Sequence, residues 1–590
     1  VFTETTYTNP DSSAQSLGRA VLGGRDGIVI IPRQPLAAGQ TYSASITVNG
    51  ATHAWNFGVG SAPPSGPTMT LDKTSLRFGA VVSGGALLSQ TSAQAVRLTQ
   101  SGLAGTVTWT ATPTVPWLTV SPSSGTGPTT FTVGVQAGSG VPASGSASGA
   151  VTIVYSGAAS SGASIGVTLR SYTGASAVAP LGAIDTPVNG TSGLSGAVPF
   201  TGWALDDVEV TGVAICRAGV SGETPTADAR CNGAAQVYVG NAVFIEGARP
   251  DVQTAYSTYP LSSRAGWGFM VLTNMLPHVA NGTPAGGTGA FTFSFYTSDR
   301  DGHRALLGTR AISCDNASAA APFGTLDTPG QGEIVSGPGY NNFGWALTPI
   351  PKTIPVDGST ITVYLDGAPS GHPAYGYARA DIQSLFPGLN NTDTAVGLFA
   401  FDTTSLTNGL HTIAWAVCDD ANACTGIGSR YFTVSNGAAG DGAVAPIRLA
   451  RRAAGPARAT SPAIDAAAID GLAVDAWPLV GRRGWDAQAR PALLDVSPSG
   501  RTLVHAEELD RIELRLDAGP NVTGYVRVGR GLAVLPAGAR LDGTRGLFTW
   551  APGAGFIGRY DLVFVRWSEG RPVGRREVRV TIGPKAGRRP

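Results

Sequence analysis

Apolar and polar residues alternate in short runs along most of this chain. Gln236-Val-Tyr-Val239, Phe291-Thr-Phe-Ser-Phe-Tyr296, Thr360-Ile-Thr-Val-Tyr-Leu365, His411-Thr-Ile-Ala-Trp-Ala-Val417 and Tyr431-Phe-Thr-Val434 have a period of two or form a brief apolar stretch. A period of two puts alternate side chains on opposite faces of an extended strand. Similar runs lie near the start (Thr41-Tyr-Ser-Ala-Ser-Ile-Thr-Val48), through the next hundred residues (Leu71-Asp-Lys-Thr-Ser-Leu-Arg-Phe78, Val151-Thr-Ile-Val-Tyr155) and near the end (Tyr560-Asp-Leu-Val-Phe-Val-Arg-Trp567, Glu577-Val-Arg-Val-Thr-Ile582). Asp366-Gly367 and Asn408-Gly409 are the dipeptides of tight hairpins. The pattern predicts an all-β protein, a tandem array of β-sandwich domains joined by short linkers.

One stretch occurs twice. Pro180-Leu-Gly-Ala-Ile-Asp-Thr-Pro187 and Gly202-Trp-Ala-Leu-Asp206 return as Pro322-Phe-Gly-Thr-Leu-Asp-Thr-Pro329 and Gly344-Trp-Ala-Leu347. Ala248-Arg-Pro-Asp-Val-Gln253 returns as Ala378-Arg-Ala-Asp-Ile-Gln383, and an acidic turn follows in each, Ser298-Asp-Arg-Asp-Gly302 and Cys418-Asp-Asp-Ala-Asn422. Four landmarks in one order make residues 180–317 and 322–436 two copies of one module. The segments 248–261 and 378–389 read as long loops with one helical turn.

Composition fits short strands and many turns. Charged residues are 13% against roughly 25% in an average chain, while Gly numbers 81 and Pro 40. No run of about 18 apolar residues exists to cross a membrane as a helix. Net charge is +1, with Arg in excess from residue 441 onward. That Arg alternates with apolar residues, as in Arg575-Arg-Glu-Val-Arg-Val580, which speaks for solvated strand faces and against nucleic-acid binding. Cys216 and Cys231 flank a polar loop, and Cys418 and Cys424 flank a tight turn, so two local disulfides are expected, with Cys314 unpaired. Zinc at the close pair lacks further His or Cys partners nearby. Disulfides place the chain in an extracellular or cell-surface setting.

Three segments carry resemblances. Pro35-Leu-Ala-Ala-Gly-Gln-Thr-Tyr42 resembles a corner of bacterial Ig-like domains, which implies that residues 1–62 are the C-terminal half of a sandwich. Pro116-Trp-Leu-Thr-Val-Ser-Pro-Ser-Ser-Gly125, with Val107-Thr-Trp109 and Phe131-Thr-Val-Gly-Val135 around it, resembles the BACON family of Ig-like domains over residues 68–173. That resemblance implies a bacterial secreted protein and carbohydrate binding, for which Trp117 is the candidate platform; its neighbours Pro116, Leu118 and Val120 read instead as a core position. Leu535-Pro-Ala-Gly-Ala-Arg-Leu-Asp-Gly-Thr-Arg-Gly-Leu-Phe-Thr-Trp-Ala-Pro-Gly553 resembles the Ig repeats of bacterial surface proteins over residues 497–585. The paired modules resemble Ig-like repeats of large secreted proteins. Residues 437–496, rich in Ala, Gly, Pro and Arg, read as a linker whose Trp477 and Trp485 dock on a neighbour.

The search for chemistry finds no metalloprotease, nucleophile-elbow, phosphate-loop or dinucleotide motif. His53, His278, His303, His372, His411 and His505 are scattered singly, so no enzyme is expected and no catalytic residue is named. Arg249 with Asp251, and Arg379 with Asp381, either hold a ligand's carboxylate or hydroxyls or pin their own loops. Asp299 and Asp301, and Asp419 and Asp420, offer calcium ligands between domains, or only turn chemistry. Tyr256, Tyr259 and Trp267 line either a contact surface or a core. The function expected is structural or adhesive: self-association or contact with another surface protein, with assembly into a filament by strand donation into the incomplete first domain. The alternative is a polysaccharide-binding accessory region of a larger secreted enzyme.

Overall fold

The computed structural model describes residues 3–24, 36, 40–48, 50–58, 67–101, 105–158, 160–283, 285–436, 466–475, 479–485, 489–516, 521–568 and 571–584. It divides into two units, residues 1–67 and 68–590.

In the first unit, a helix spans Ser12–Gly23. Asp11 starts it, its carboxylate accepting hydrogen bonds from the Ser13 and Ala14 amides at 2.8 and 3.1 Å. A hairpin follows, Thr41–Val48 against Ala51–Gly58. Its two strands form a separate sheet, with Trp55 45% and Phe57 38% exposed. The expected strand at Gly27-Ile-Val-Ile-Ile-Pro32 lies outside the described residues, as do residues 61–66 of the proline-rich stretch.

The second unit holds four β-sandwiches in tandem. In the first, a four-stranded sheet faces a six-stranded one, and Phe78, Trp109, Trp117, Phe131 and Leu169 fill the space between them. The paired modules then fold alike strand for strand. The first copy packs a sheet ordered Leu181–Thr186, Ala197–Leu205, Gly266–Leu272, Val243–Phe244 against one ordered Thr191–Leu194, Arg304–Asp315, Thr288–Asp299, Val210–Arg217, Val237–Asn241. In the second, Phe323–Leu326, Tyr340–Leu347, Val396–Phe401, Ala374–Tyr377 face Glu333–Val335, Cys424–Val434, Gly409–Cys418, Ile361–Leu365, Ala368–Gly371. The expected helical turns are there, Pro250–Ala255 and Ala380–Leu385. Asp366 and Gly367, with φ of 47° and 72°, make the two-residue hairpin turn that their identities predict. Asn408-Gly409 is different: it precedes a strand entered from the opposite sheet, so it is a crossover and not a hairpin.

The fourth sandwich begins earlier than expected. Ala466–Asp470 is helical, and Val480–Arg483 pairs with Ile512–Arg515, so the end of the supposed linker is part of the domain. Residues 437–465 and Trp477 lie outside the described residues. One device recurs in every sandwich: an early strand lies parallel to the last one. The pairs are Ser75–Ser83 with Gly162–Tyr172, Thr191–Leu194 with Arg304–Asp315, Glu333–Val335 with Cys424–Val434, and Thr502–Glu507 with Arg571–Gly583. Each domain thereby covers an edge of its final hairpin with its own chain.

Candidate functional site

Both local disulfides are present, Cys216–Cys231 and Cys418–Cys424, and Cys314 is buried without a partner. Burial pushes the Cys314 thiol up to about 12, which keeps it protonated and inert.

The repeated Arg loops are clamps. Arg249 Nε and Nη2 donate to the two Asp251 oxygens at 2.9 and 2.7 Å, and Nη1 donates to Asp185. Arg379 repeats the fork on Asp381 at 2.8 and 2.9 Å and reaches Asp327 at 2.5 Å. Asp185 and Asp327 are the acids of the repeated Asp-Thr-Pro segments, so each arginine ties the module's helical loop to its first strand. The ligand-holding reading of these four residues gives way to loop pinning, because the guanidinium donors are spent internally. Trp117 is 1% exposed, so the sugar-platform reading falls: a ring among Leu118, Phe131 and Val133 cannot stack on a glycan. Trp267 is a core residue too, while Tyr256 and Tyr259 pack half-buried on Leu205, Val252 and Trp203.

The first acidic turn sits where the first sandwich meets the first module. Thr91 donates to the Val208 carbonyl at 2.6 Å, and Ser92 gives its amide and hydroxyl to Glu209 at 2.8 and 2.7 Å. Arg300 Nε binds the same Glu209 oxygen at 2.9 Å. These bonds offset burial, which alone would raise the Glu209 carboxyl, and hold it below its usual range. Gly79 lets the backbones touch, since a Cβ there would run into the Asp207 carbonyl oxygen. Beside this seam Asp299 takes the Gly302 and His303 amides at 2.7 Å each, and His303 Nδ1 lies 3.1 Å from both Asp299 Oδ2 and Asp301 Oδ2. Asp206 and Asp207 are 2% and 5% exposed. Burial pushes the Asp206 carboxyl up to about 7, against the Val208 amide and with the charges of Asp207 and Asp299. Burial likewise raises Asp207 and Asp299, each of which also feels Asp301.

The second acidic turn is neutralised. Asp419 accepts from the Ala421 and Ala423 amides at 3.1 and 2.9 Å, from Thr348 at 3.1 Å, and pairs with Lys352 at 3.1 Å. Burial works to raise its carboxyl, but the Ala423 amide, Lys352 and Thr348 hold it low. Asp420 caps Thr353 at 3.1 and 2.9 Å. The two turns share a fold and differ in chemistry.

A further junction escaped the sequence reading. The fourth sandwich packs on both modules at once, and Ile245, Ala248 and Tyr431 of the modules join its core cluster with Trp550, Phe556 and Tyr560. Tyr560 donates to the Ala248 carbonyl, and Gly553 N donates to Tyr431 Oη at 2.8 Å. Arg511 Nε donates to the Gly367 carbonyl at 3.0 Å. Trp485 docks as expected, its ring centroid 4.5 Å from that of Tyr364. Fully buried at the same junction is Glu508, with Gly555 N donating to it at 3.2 Å; desolvation pushes its carboxyl up to about 8.

No known family profile matches the chain, and no curated protein matches it. Solved structures do. Fibronectin(III)-like modules of Clostridium thermocellum CbhA are 13% identical, with 43% of this chain and 95% of that one covered, at a TM-score of 0.14. Extracellular cadherin domains 3-6 of protocadherin gamma B2 are 12% identical, with 88% and 100% covered, at 0.15. A Bacteroides ovatus GH5 xyloglucanase in complex with a heptasaccharide is 17% identical, with 21% and 22% covered, at 0.14. At scores this low the sandwich assignment rests on the chain's own sheets.

Proposed function

We propose that this chain is a non-enzymatic extracellular protein with a structural or adhesive role. The observation that supports it is the shared core of the modules and the fourth sandwich. Domains that only display separate sites need few contacts, whereas here two modules donate apolar side chains and buried hydrogen bonds to a third sandwich. Such a block transmits force between its ends without hinging. The two disulfides fit an oxidising compartment. Within this reading the first sandwich is a BACON-type domain and the fourth a bacterial surface-protein repeat.

The finer part of the proposal is head-to-tail assembly through the first unit. Its hairpin is a two-stranded sheet, and two strands alone are marginal in water. Addition of a strand from a second copy would pack on Trp55 and Phe57 and pair with a hairpin edge that has no partner among the described residues. Negative-stain electron microscopy of the purified chain tests this. Polymers are expected from the native chain and single particles from the Trp55→Lys, Phe57→Lys double variant. Single particles from both would end the filament proposal.

A further inference from the structure

The two copies of the module set up a comparison. They share strand order, disulfide-free Arg clamps and an acidic turn whose first Asp accepts two backbone amides. In the second copy a lysine completes that turn: Lys352 Nζ sits 3.1 Å from Asp419, and Thr348 donates to the same oxygen. In the first copy the residue matching Thr348, after the shared Gly-Trp-Ala-Leu, is Asp206, and the loop from there to the next strand is the short Asp206-Asp-Val-Glu209, whereas in the second copy it runs over residues 348–360 and carries Lys352. The donor has become an acid, and the shorter loop brings no lysine.

The acids around this turn outnumber the basic side chains paired with them. Asp299 and Asp301 share the His303 ring nitrogen, 3.1 Å from each, and Asp206 and Asp207 are buried at the same seam. Among the described residues Arg300 is committed to Glu209, which leaves His303 Nδ1 at the turn, a cationic donor when protonated and a metal ligand once the proton has left. Among the described residues Asp206 Oδ1, Asp207 Oδ1 and Asp301 Oδ1 are buried and meet no hydrogen-bond donor, while the buried Asp301 Oδ2 is met by His303 Nδ1 at 3.1 Å, and the Asp301 side chain is 8% exposed. Buried, donor-less carboxylate oxygens are costly unless a positive charge meets them. One side chain from each of Asp299, Asp301 and His303 already offers a ligand atom within 4.8 Å of the other two.

We propose that the seam between the first sandwich and the first module binds one divalent metal ion, ligated by the Asp299 and Asp301 carboxylates and His303 Nδ1, with Asp206 and Asp207 supplying further charge and free oxygens, directly or through water. The mixed set selects the metal. Zinc and manganese take imidazole nitrogen with carboxylate oxygen, whereas calcium takes oxygen alone and would leave His303 out. The ion does for the first copy what the Lys352 ammonium does for the second. It also couples domains, because Asp207 holds the Val178 amide at 3.3 Å in the strap between the two sandwiches, and Val208 and Glu209 beside it hold Thr91 and Ser92.

The test is calorimetric titration of the full chain, stripped with chelator, using zinc, manganese and calcium chlorides in separate runs. One zinc or manganese ion per chain is expected, and saturation should raise the melting temperature. Asp301→Asn and His303→Ala should each weaken binding on the order of 100-fold or more, while Asp419→Asn at the matching turn leaves it unchanged. His303, with a side chain 39% exposed, keeps the question answerable should Asp301→Asn fail to fold by circular dichroism. The proposal is overturned by no stoichiometric binding of zinc or manganese, by binding indifferent to both variants, or by calcium binding alone.

Discussion

A buried arginine and an exposed one doing the same job separate structure from ornament. Arg249 and Arg379 make the same fork to the same two acids, yet the Arg249 side chain is 9% exposed and that of Arg379 35%. Removing Arg249, whose side chain is buried, breaks charged hydrogen bonds and strands the part-buried Asp185, so Arg249→Ala should cost about 2–3 kcal/mol in chemical denaturation. Arg379→Ala leaves its partners hydrated and should cost under about 1 kcal/mol. Arg249→Lys should not rescue, since an ammonium cannot span both carboxylates. Glu508 makes a contribution to the pH dependence that one substitution isolates. Its carboxyl titrates near 8 in the folded chain and near the ordinary carboxylate value once unfolded. Below that ordinary value both states are protonated and the residue is neutral to stability. As pH rises toward 8 the unfolded chain releases a proton that the folded chain keeps, so stability falls, by a few kcal/mol in order of magnitude. Glu508→Gln should therefore melt like the native chain in acid and above it at pH 8. Equal melting curves at both pH values would show that the carboxyl is not buried as described.

At the scale of the elements, alternation of apolar and polar residues reveals many of the strands, because a sandwich strand turns one face to the core and the other to water, but not Gly162–Tyr172 or Arg304–Asp315. The duplication was legible for the same reason that the modules fold alike: Asp-Thr-Pro and Ala-Arg-x-Asp are the two ends of one ion pair. That pairing itself was not legible, since Arg249 and Asp185 are 64 residues apart. The helix Ser12–Gly23 was missed although Asp11 announced its start. Val480–Arg483 was hidden in an Ala- and Arg-rich stretch because a four-residue strand shows too few periods to register against such a background. The acidic turns looked equivalent in sequence, and only their partners told them apart: Lys352 at one, Asp206 and Asp207 at the other. The disulfides act at this scale too. Cys216 and Cys231 close a loop of separation 15, and Cys418 and Cys424 one of 6, for about 3 and about 2 kcal/mol of unfolded-state entropy. Replacing the first pair by serine should lower the denaturation midpoint more than replacing the second.

For the whole molecule, the sequence reading of a tandem array is right about the parts and silent about their closure. Nothing in a linear pattern shows that a domain beginning after residue 465 will return to pack on residues near 248 and 431. The surfaces responsible, Ile245, Ala248 and Tyr431, look like ordinary strand and loop residues until the fourth sandwich buries them. Gly268 marks the seam, since a Cβ there would strike the Ala554 carbonyl oxygen. Domains sharing a core should lose it together. The most direct test is differential scanning calorimetry of the full chain beside a Tyr431→Ala, Tyr560→Phe double variant. The locked-block account predicts that the two modules and the fourth sandwich melt as one cooperative transition in the native chain, and that the double variant splits it. Separate, variant-insensitive transitions for the three domains would contradict the account.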